Sequence, residues 1–302
     1  MIEQSSDTVL VIVPKNFGSN PETAETNEFQ GNTDRPAIAE LAKAETENLI
    51  QRLEDEGVQV IRVEDREEIA CPDAVFSNNW LGIHPGRKLI VYKMQSQLRQ
   101  KELRPELIQL LQDKFGLPES IDLNKISGFD EEFLEGTGSL VFDHVFKKVY
   151  AALSARTSEQ LALKTAEMLN YELVPFNTRM PSGKPVYHTN VMLCIGSGFI
   201  IVCPEAIEEK QRETVIGHLQ DSGRTIVNIS VEQMLEFAGN VLEVRNHLNE
   251  KLIVLSSSAL SSLNAEQIAA LQNHGLILET EIPVIEQTGG GSVRCMLTEI
   301  FL

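Results

Sequence analysis

The sequence predicts an α/β protein. Short apolar runs of strand length recur along the chain, and amphipathic helical stretches stand between them. Neither a low-complexity linker nor an abrupt shift of composition divides the 302 residues. One domain spanning 1–302 is therefore expected. Roughly five strand–strand–helix groups fit, each about sixty residues long, with too little identity between them to establish a repeat. Pattern alone makes a doubly wound sheet the default. However, no G-x-G-x-x-G follows the first strand and there is no Walker lysine loop, so such a sheet would lack nucleotide chemistry.

In chain order, residues 8–13 form an apolar run stopped by Pro14, as a buried strand should be. The stretch 16–24 is rich in amides and glycine and reads as a loop. Asp34 with Pro36 signals a helix start, Ile38, Leu41, Ala42, Leu49 and Leu53 form its apolar stripe, and Gly57 closes it. A strand over 58–63 follows. Cys71 to Trp80 is a short apolar piece ending in two amides and the single tryptophan. Further strands are expected at 88–92, 139–142, 149–153, 172–175, 191–195, 199–203, 225–229, 241–244, 252–255 and 275–278. Helices are expected at 99–115, 158–169, 205–219 and 264–273, the last opened by Asn264 and Gln267 in capping-box spacing. A short terminal strand over 293–297 would carry Cys295 near its start.

Composition narrows the function. A formal charge of −18 and a pI near 4.8 oppose binding to nucleic acid and to anionic membranes. The beginning of the chain lacks a basic and apolar leader, and no apolar run approaches membrane-spanning length. Cys71, Cys194, Cys203 and Cys295 stand far apart without CxxC pairs, so neither zinc nor a disulfide framework is suggested. A soluble cytoplasmic protein with reduced thiols is expected.

Three places concentrate chemistry. Gly289, Gly290 and Gly291 deliver the chain into Val293-Arg294-Cys295. Glycine in series belongs where backbone turns tightly or a ligand comes close, and a cysteine beside it and an arginine suits a thiolate nucleophile. Glu135, set among glycines in 134–140, is placed to orient a histidine or hold a cation. His188 stands at the mouth of an apolar strand, where site residues of α/β proteins gather. The other five histidines read as solvated. Together Glu135, His188 and Cys295 supply an orienting acid, an acid–base group and a nucleophile.

A Glu-Gly-x-Gly loop, a His-Thr-Asn strand mouth and a Gly-Gly-Gly-Ser-x-Arg-Cys terminus, in this order, resemble the pentein superfamily of guanidine-modifying enzymes. That group holds arginine deiminases, dimethylarginine dimethylaminohydrolases and amidinotransferases. The likeness runs from Asn20 to Ile300 and is nearest to the citrulline-utilisation hydrolase, arginine deiminase-related branch. It implies a five-bladed β/α propeller with a central active site. It also implies that Cys295 attacks the substrate carbon, His188 works as acid and base, and Glu135 orients His188. Neither metal nor organic cofactor is implied. The Ser154-x-Arg156-Thr157 and Arg99-x-x-Glu102 elements match the superfamily's own, which makes Arg156 and Arg99 candidates for a substrate α-carboxylate.

The departures bear on the substrate. Guanidine-processing relatives place acids where this chain has Asn78 and Asn79, and again two residues beyond the histidine, where it has Asn190. Carboxylates suit a donor-only guanidinium, whereas amides offer the donor and acceptor that a neutral ureido group needs. Asp73 is retained. The expected reaction is C–N hydrolysis of a ureido amino acid, foremost citrulline to ornithine, carbon dioxide and ammonia. Two alternatives stand beside it: action on arginine, a methylated arginine or an amidino acceptor, and a non-catalytic propeller like the ribosome-binding translation factor of the same fold. The expected partner is a small amino-acid substrate, with a homodimer allowed.

Overall fold

The computed structural model describes residues 3–31 and 37–302. Among them the strands form five separate three-stranded sheets. The first joins β1 (Thr8–Val13) and β2 (Gln59–Glu64). The next three hold β3 (Leu81–His84), β4 (Lys88–Val91) and β5 (Ile121–Asp122), then β6 (Val141–Asp143), β7 (Lys148–Ala152) and β8 (Glu172–Phe176), then β9 (Leu193–Ile195), β10 (Phe199–Val202) and β11 (Thr225–Asn228). The fifth holds β12 (Leu242–Arg245), β13 (Lys251–Ser256) and β14 (Leu276–Thr280), and β15 (Thr298–Glu299) returns to the first sheet.

Each sheet repeats one pattern, an antiparallel hairpin pair followed by a helical crossover to a parallel strand. In the first sheet the antiparallel partner of β1 is β15, so the two ends of the chain are stitched together and the ring closes. One strand from every sheet lines a cavity on the central axis, through Ile83, Phe142, Cys194, Leu242 and Thr298. This is the five-bladed β/α propeller and not the doubly wound sheet. A doubly wound sheet needs adjacent crossovers to pair into one surface, and here every third strand ends its sheet.

The local sequence explains the elements. β1 is buried along its whole length, because Val9, Val11 and Val13 pack toward Leu49 and Leu53 while Leu10 and Ile12 enter a second core with Trp80 and Ile83. A strand buried on both faces shows no polar alternation, and each of these side chains contributes about 1.5–3 kcal/mol on burial. The crossover helix Glu159–Leu169 starts at Ser158, whose side chain accepts from the Leu161 N–H, and stops at Asn170 with φ 61°. The capping box of Asn264 and Gln267 is formed.

The local readings and the structure differ in places. The helix over 99–115 is two helices, Gln97–Gln100 and Pro105–Phe115, because Pro105 holds Arg104 extended. Residues 293–297 are not a strand: Val293–Met296 is one helical turn, and the strand begins at Thr298. β3 and β5 had no reading as strands. The expected cap at Asp34 with Pro36 lies outside the described residues. Among those described, no helix is long and apolar enough to cross a membrane.

Candidate active site

The inner strands β3, β6, β9, β12 and β15 share an entrance. Ser77–Asn79, Gly136–Ser139, Thr189–Val191, the turn ending at Asn240 and Val293–Met296 each lead directly into one of them. Five tight turns thus meet at one end of the axis and carry Asn79, Glu135, His188, Asn240 and Cys295 on or beside them. Asp73, Asn79, Arg156, His188, Gly290 and Cys295 line one small cavity there.

Glu135 and His188 stand in hydrogen-bond contact. Glu135 Oε2 lies 2.8 Å from His188 Nε2, and Oε1 accepts the Gln95 N–H at 3.0 Å. Burial raises the Glu135 pKa, but Arg156 Nη1 at 3.7 Å, His188 and Arg99 Nη1 at 3.9 Å outweigh it and hold the group at about 2. The ionised carboxylate only accepts, so it takes the proton on Nε2 and leaves Nδ1 with a lone pair. Burial pushes His188 down to about 4 against the pull of Glu135, which keeps the ring neutral near pH 7. A Cβ on Gly138 would stand 2.7 Å from Nδ1 and 2.5 Å from Asn79 Nδ2, so glycine is what lets the ring and the amide approach.

Cys295 is 2% exposed, and its Sγ meets two amides, Asn240 Nδ2 at 3.3 Å and Asn190 Nδ2 at 3.6 Å. The glycines before it work as tight packing. Gly290 sits at φ 66°, and its carbonyl accepts from Tyr187 Oη at 2.6 Å and Asn27 Nδ2 at 3.1 Å. A Cβ on Gly289 or Gly291 would enter the Phe76 ring at 2.7 or 2.8 Å. Ser292 Oγ donates to Glu286 at 2.6 Å, fixing the turn that presents the sulfur. Arg294 faces away from the thiol, donating to the Leu297 carbonyl and to Glu299.

The two arginines differ. Arg99 forms a bidentate pair with Glu102 at 2.8 and 3.1 Å and also donates to Asn79 Oδ1 and the Phe76 carbonyl. Its donors are committed to the fold, so the geometry offers little for a substrate carboxylate. Burial pushes Glu102 up to about 7 against the opposing pull of Arg99. Arg156 donates through Nε and Nη2 to Thr26 and the Thr23 carbonyl, stacks 5.2 Å from the Tyr187 ring, and leaves Nη1 toward Glu135.

The amides also separate. Asn79 lines the cavity. Asn78 lies behind it, donating to Thr137 Oγ1 at 3.1 Å and accepting from Asn79 at 3.0 Å. Asp73 accepts from Asn20 Nδ2 at 2.8 Å through one oxygen, while its buried Oδ1 has no protein partner among the described residues. Burial pushes the Asp73 carboxyl pKa up against the pull of Arg99, whose Nε lies 3.7 Å from Oδ2.

Two of the histidines read as solvated are buried. His84 Nε2 pairs with Tyr92 Oη at 2.6 Å and His144 Nδ1 with Tyr171 Oη at 2.7 Å, each hidden by a partner from another strand or segment. Asn240 and Tyr187 belong to the site without having been singled out. The signal for Asn240 was positional, a lone amide at the entrance to the one inner strand left without a site residue.

A family model described as N,N dimethylarginine dimethylhydrolase, eukaryotic, matches residues 13–302. No curated protein sequence matches the chain. Among solved structures, the substrate-bound N-terminal domain of ArgZ, an arginine dihydrolase from the ornithine–ammonia cycle in cyanobacteria, superposes with TM-score 0.76 at 18% identity, over 98% of this chain and 99% of that one. Unliganded AgrE gives 0.75 at 18% identity, over 98% of this chain and 40% of its own. A dimethylarginine dimethylaminohydrolase in adduct with S-methyl-L-thiocitrulline gives 0.68 at 16% identity, over 99% of both chains. At such identities the likeness establishes the fold.

Proposed function

The chain belongs to the N,N-dimethylarginine dimethylhydrolase family, within the pentein superfamily of guanidino-group-modifying enzymes, and from that premise we propose a cysteine hydrolase whose substrate is citrulline. The whole chain, 1–302, works as one catalytic domain, in the manner of the citrulline-utilisation branch. The observation that carries the substrate is the surrounding of Cys295 Sγ: among the described residues, the side chains within hydrogen-bond reach are the Asn190 and Asn240 amides, not carboxylates. A ureido carbonyl and its N–H groups find both donor and acceptor there. Arg99 and Arg156 already stand near the cavity, Glu135 is engaged by His188, and only one Asp73 oxygen is unmatched. With Arg99 held by Glu102 and Arg156 facing Glu135, Asp73 is, among the described residues, the one carboxylate left for a guanidinium, whereas a neutral headgroup needs no counter-charge.

In the proposed reaction Cys295 gives its thiol proton to the free Nδ1 of His188, and the thiolate adds to the ureido carbon, with Asp73 Oδ1 accepting a substrate N–H. The C–N bond to the ornithine nitrogen breaks as that nitrogen takes a proton delivered by His188, leaving a carbamoyl thioester on Sγ. His188, again neutral, removes a proton from water. The hydroxide releases carbamate, which falls apart to carbon dioxide and ammonia, and the thiolate returns. Glu135 stabilises the imidazolium between the two halves. Arg156 Nη1 is the better placed of the two arginines for the α-carboxylate.

The second reading, hydrolysis of arginine or a methylated arginine, draws support from Asp73 and from the family itself. Matched kcat/KM assays on citrulline, arginine and dimethylarginine decide between them, with Cys295→Ser as control. Citrulline is expected to lead, and a site built on hydrogen bonds can discriminate by about 10⁴-fold. Faster hydrolysis of arginine overturns the ureido reading and leaves the guanidine one. Absence of turnover with all three returns the chain to a binding role.

A further inference from the structure

We propose that Asn240 is a catalytic residue, an orientation-locked donor that holds the Cys295 sulfur as its thiolate. The inference deepens the hydrolase reading and rests on Cys295 being the nucleophile. Its first support is position. The entrance turns of the other four inner strands carry Asn79, Glu135, His188 and Cys295 on or beside them, and Asn240 stands at the fifth. The side chain is fully buried.

Its second support is the direction of each hydrogen bond. The Arg294 backbone N–H donates to Asn240 Oδ1 at 3.1 Å, and a backbone N–H has no other role. The Asn190 carbonyl accepts from Asn240 Nδ2 at 3.0 Å, and a carbonyl only accepts. Oxygen and nitrogen of this amide are therefore assigned by two fixed backbone groups, and a flip would set donor against donor and acceptor against acceptor. The second Nδ2 proton is left for Cys295 Sγ at 3.3 Å, closer than the 3.7 Å from Sγ to Oδ1. The Asn190 side chain has no such lock. Among the described residues its own amide meets only Sγ, at 3.6 Å through Nδ2 and 3.9 Å through Oδ1, so it remains able to turn toward a headgroup. The division of labour is thus a fixed amide for the nucleophile and an adaptable one for the substrate. The lock also couples the site internally, because the N–H that orients Asn240 belongs to the residue next to Cys295.

The test needs no substrate. Iodoacetamide labelling of Cys295 is followed by peptide mass spectrometry across pH in the wild-type chain, Asn240→Ala and Asn240→Asp. A hydrogen bond to a charged group is worth enough that its loss should slow alkylation near neutral pH by about 10- to 100-fold and move the rise to higher pH. Asn240→Asp should move it furthest, since one oxygen still accepts from Arg294 while the other faces the sulfur. In the unmutated protein, an Asn240 side-chain amide proton resonance should shift over the same pH range as the alkylation rise. Alkylation curves unchanged in either folded variant, or an amide resonance indifferent to Cys295 ionisation, overturn the proposal. If wild-type protein hydrolyses neither ureido nor guanidino amino acids while the alkylation shifts are observed, the function falls and the thiolate role of Asn240 stands.

Discussion

Replacing Glu135 by glutamine changes one charge and little shape, and the structure assigns that charge three partners. The carboxylate touches His188 Nε2 at 2.8 Å and stands 3.7 Å from Arg156 Nη1 and 3.9 Å from Arg99 Nη1. At an effective dielectric near 20 each arginine contact is worth about 4 kcal/mol, before the relief from no longer burying the carboxylate. Removing one partner of a buried charge network costs about 3–5 kcal/mol, and urea denaturation of Glu135→Gln at pH 7 should lose that much. Catalysis should fall by about 10²–10⁴-fold, since the imidazolium formed during turnover loses its partner. The pH profile has a definite sign. Burial lowers His188 to about 4 and Glu135 opposes that shift, so removing Glu135 lowers it further. The acid limb of kcat/KM, placed near pH 4 in the wild-type protein, should move to lower pH while the maximum collapses. A Glu135→Gln protein with wild-type stability and an unmoved acid limb would refute this linkage.

Further outcomes follow from burial and backbone geometry. Iodoacetamide should label Cys295 ahead of the other thiols, because burial pushes Cys71 and Cys203 up to about 11 and raises Cys194 as well; equal labelling of all four with activity retained argues against the nucleophile. Acid should destabilise the fold early. The depressed pKa values of His84, about 3, and His188, about 4, leave full stability above pH 6.5 and withdraw on the order of 3 kcal/mol each by pH 4, read as a falling Tm, whereas a Tm flat from pH 7 to 4 contradicts neutral buried rings. Gly290→Ala places a Cβ 2.6 Å from the Gln30 N and the Asn27 amide at φ 66°. It should cost about 1–3 kcal/mol in thermal denaturation and reduce turnover; an unchanged Tm contradicts the tight seating of the loop.

Much of the fold was legible because its signals are local. β1 and β10 read as strands because both faces are buried, and Asn264 with Gln267 marks a helix start by chemistry alone. What failed depends on distant partners. β3 was hidden by Gly82 and His84, whose places make sense only beside Tyr92 across the hairpin. β5 has two residues and no pattern to read. The alternation over 293–297 suggested a strand, yet Gly290 in the left-handed region and the Ser292 link to Glu286 wind it into a helical turn. In the site, Glu135 and His188 stood out in the sequence through flanking glycines and a strand mouth, and the two side chains lie 2.8 Å apart. The Arg99-x-x-Glu102 match made Arg99 a candidate for the substrate carboxylate and gave no sign that Glu102 would take up the guanidinium. Asn240 gave no residue-level signal, because an amide after a glycine is ordinary in any turn.

The most direct measurement is a rapid quench of the wild-type and His188→Asn proteins with citrulline or arginine, followed by peptide mass spectrometry. A carbamoyl adduct on the Cys295 peptide is expected from citrulline, absent in Cys295→Ser and altered in amount when His188 can no longer activate water. Turnover of citrulline with Cys295 unmodified at every quench time, or an adduct formed from arginine in preference to citrulline, contradicts covalent catalysis on a ureido substrate.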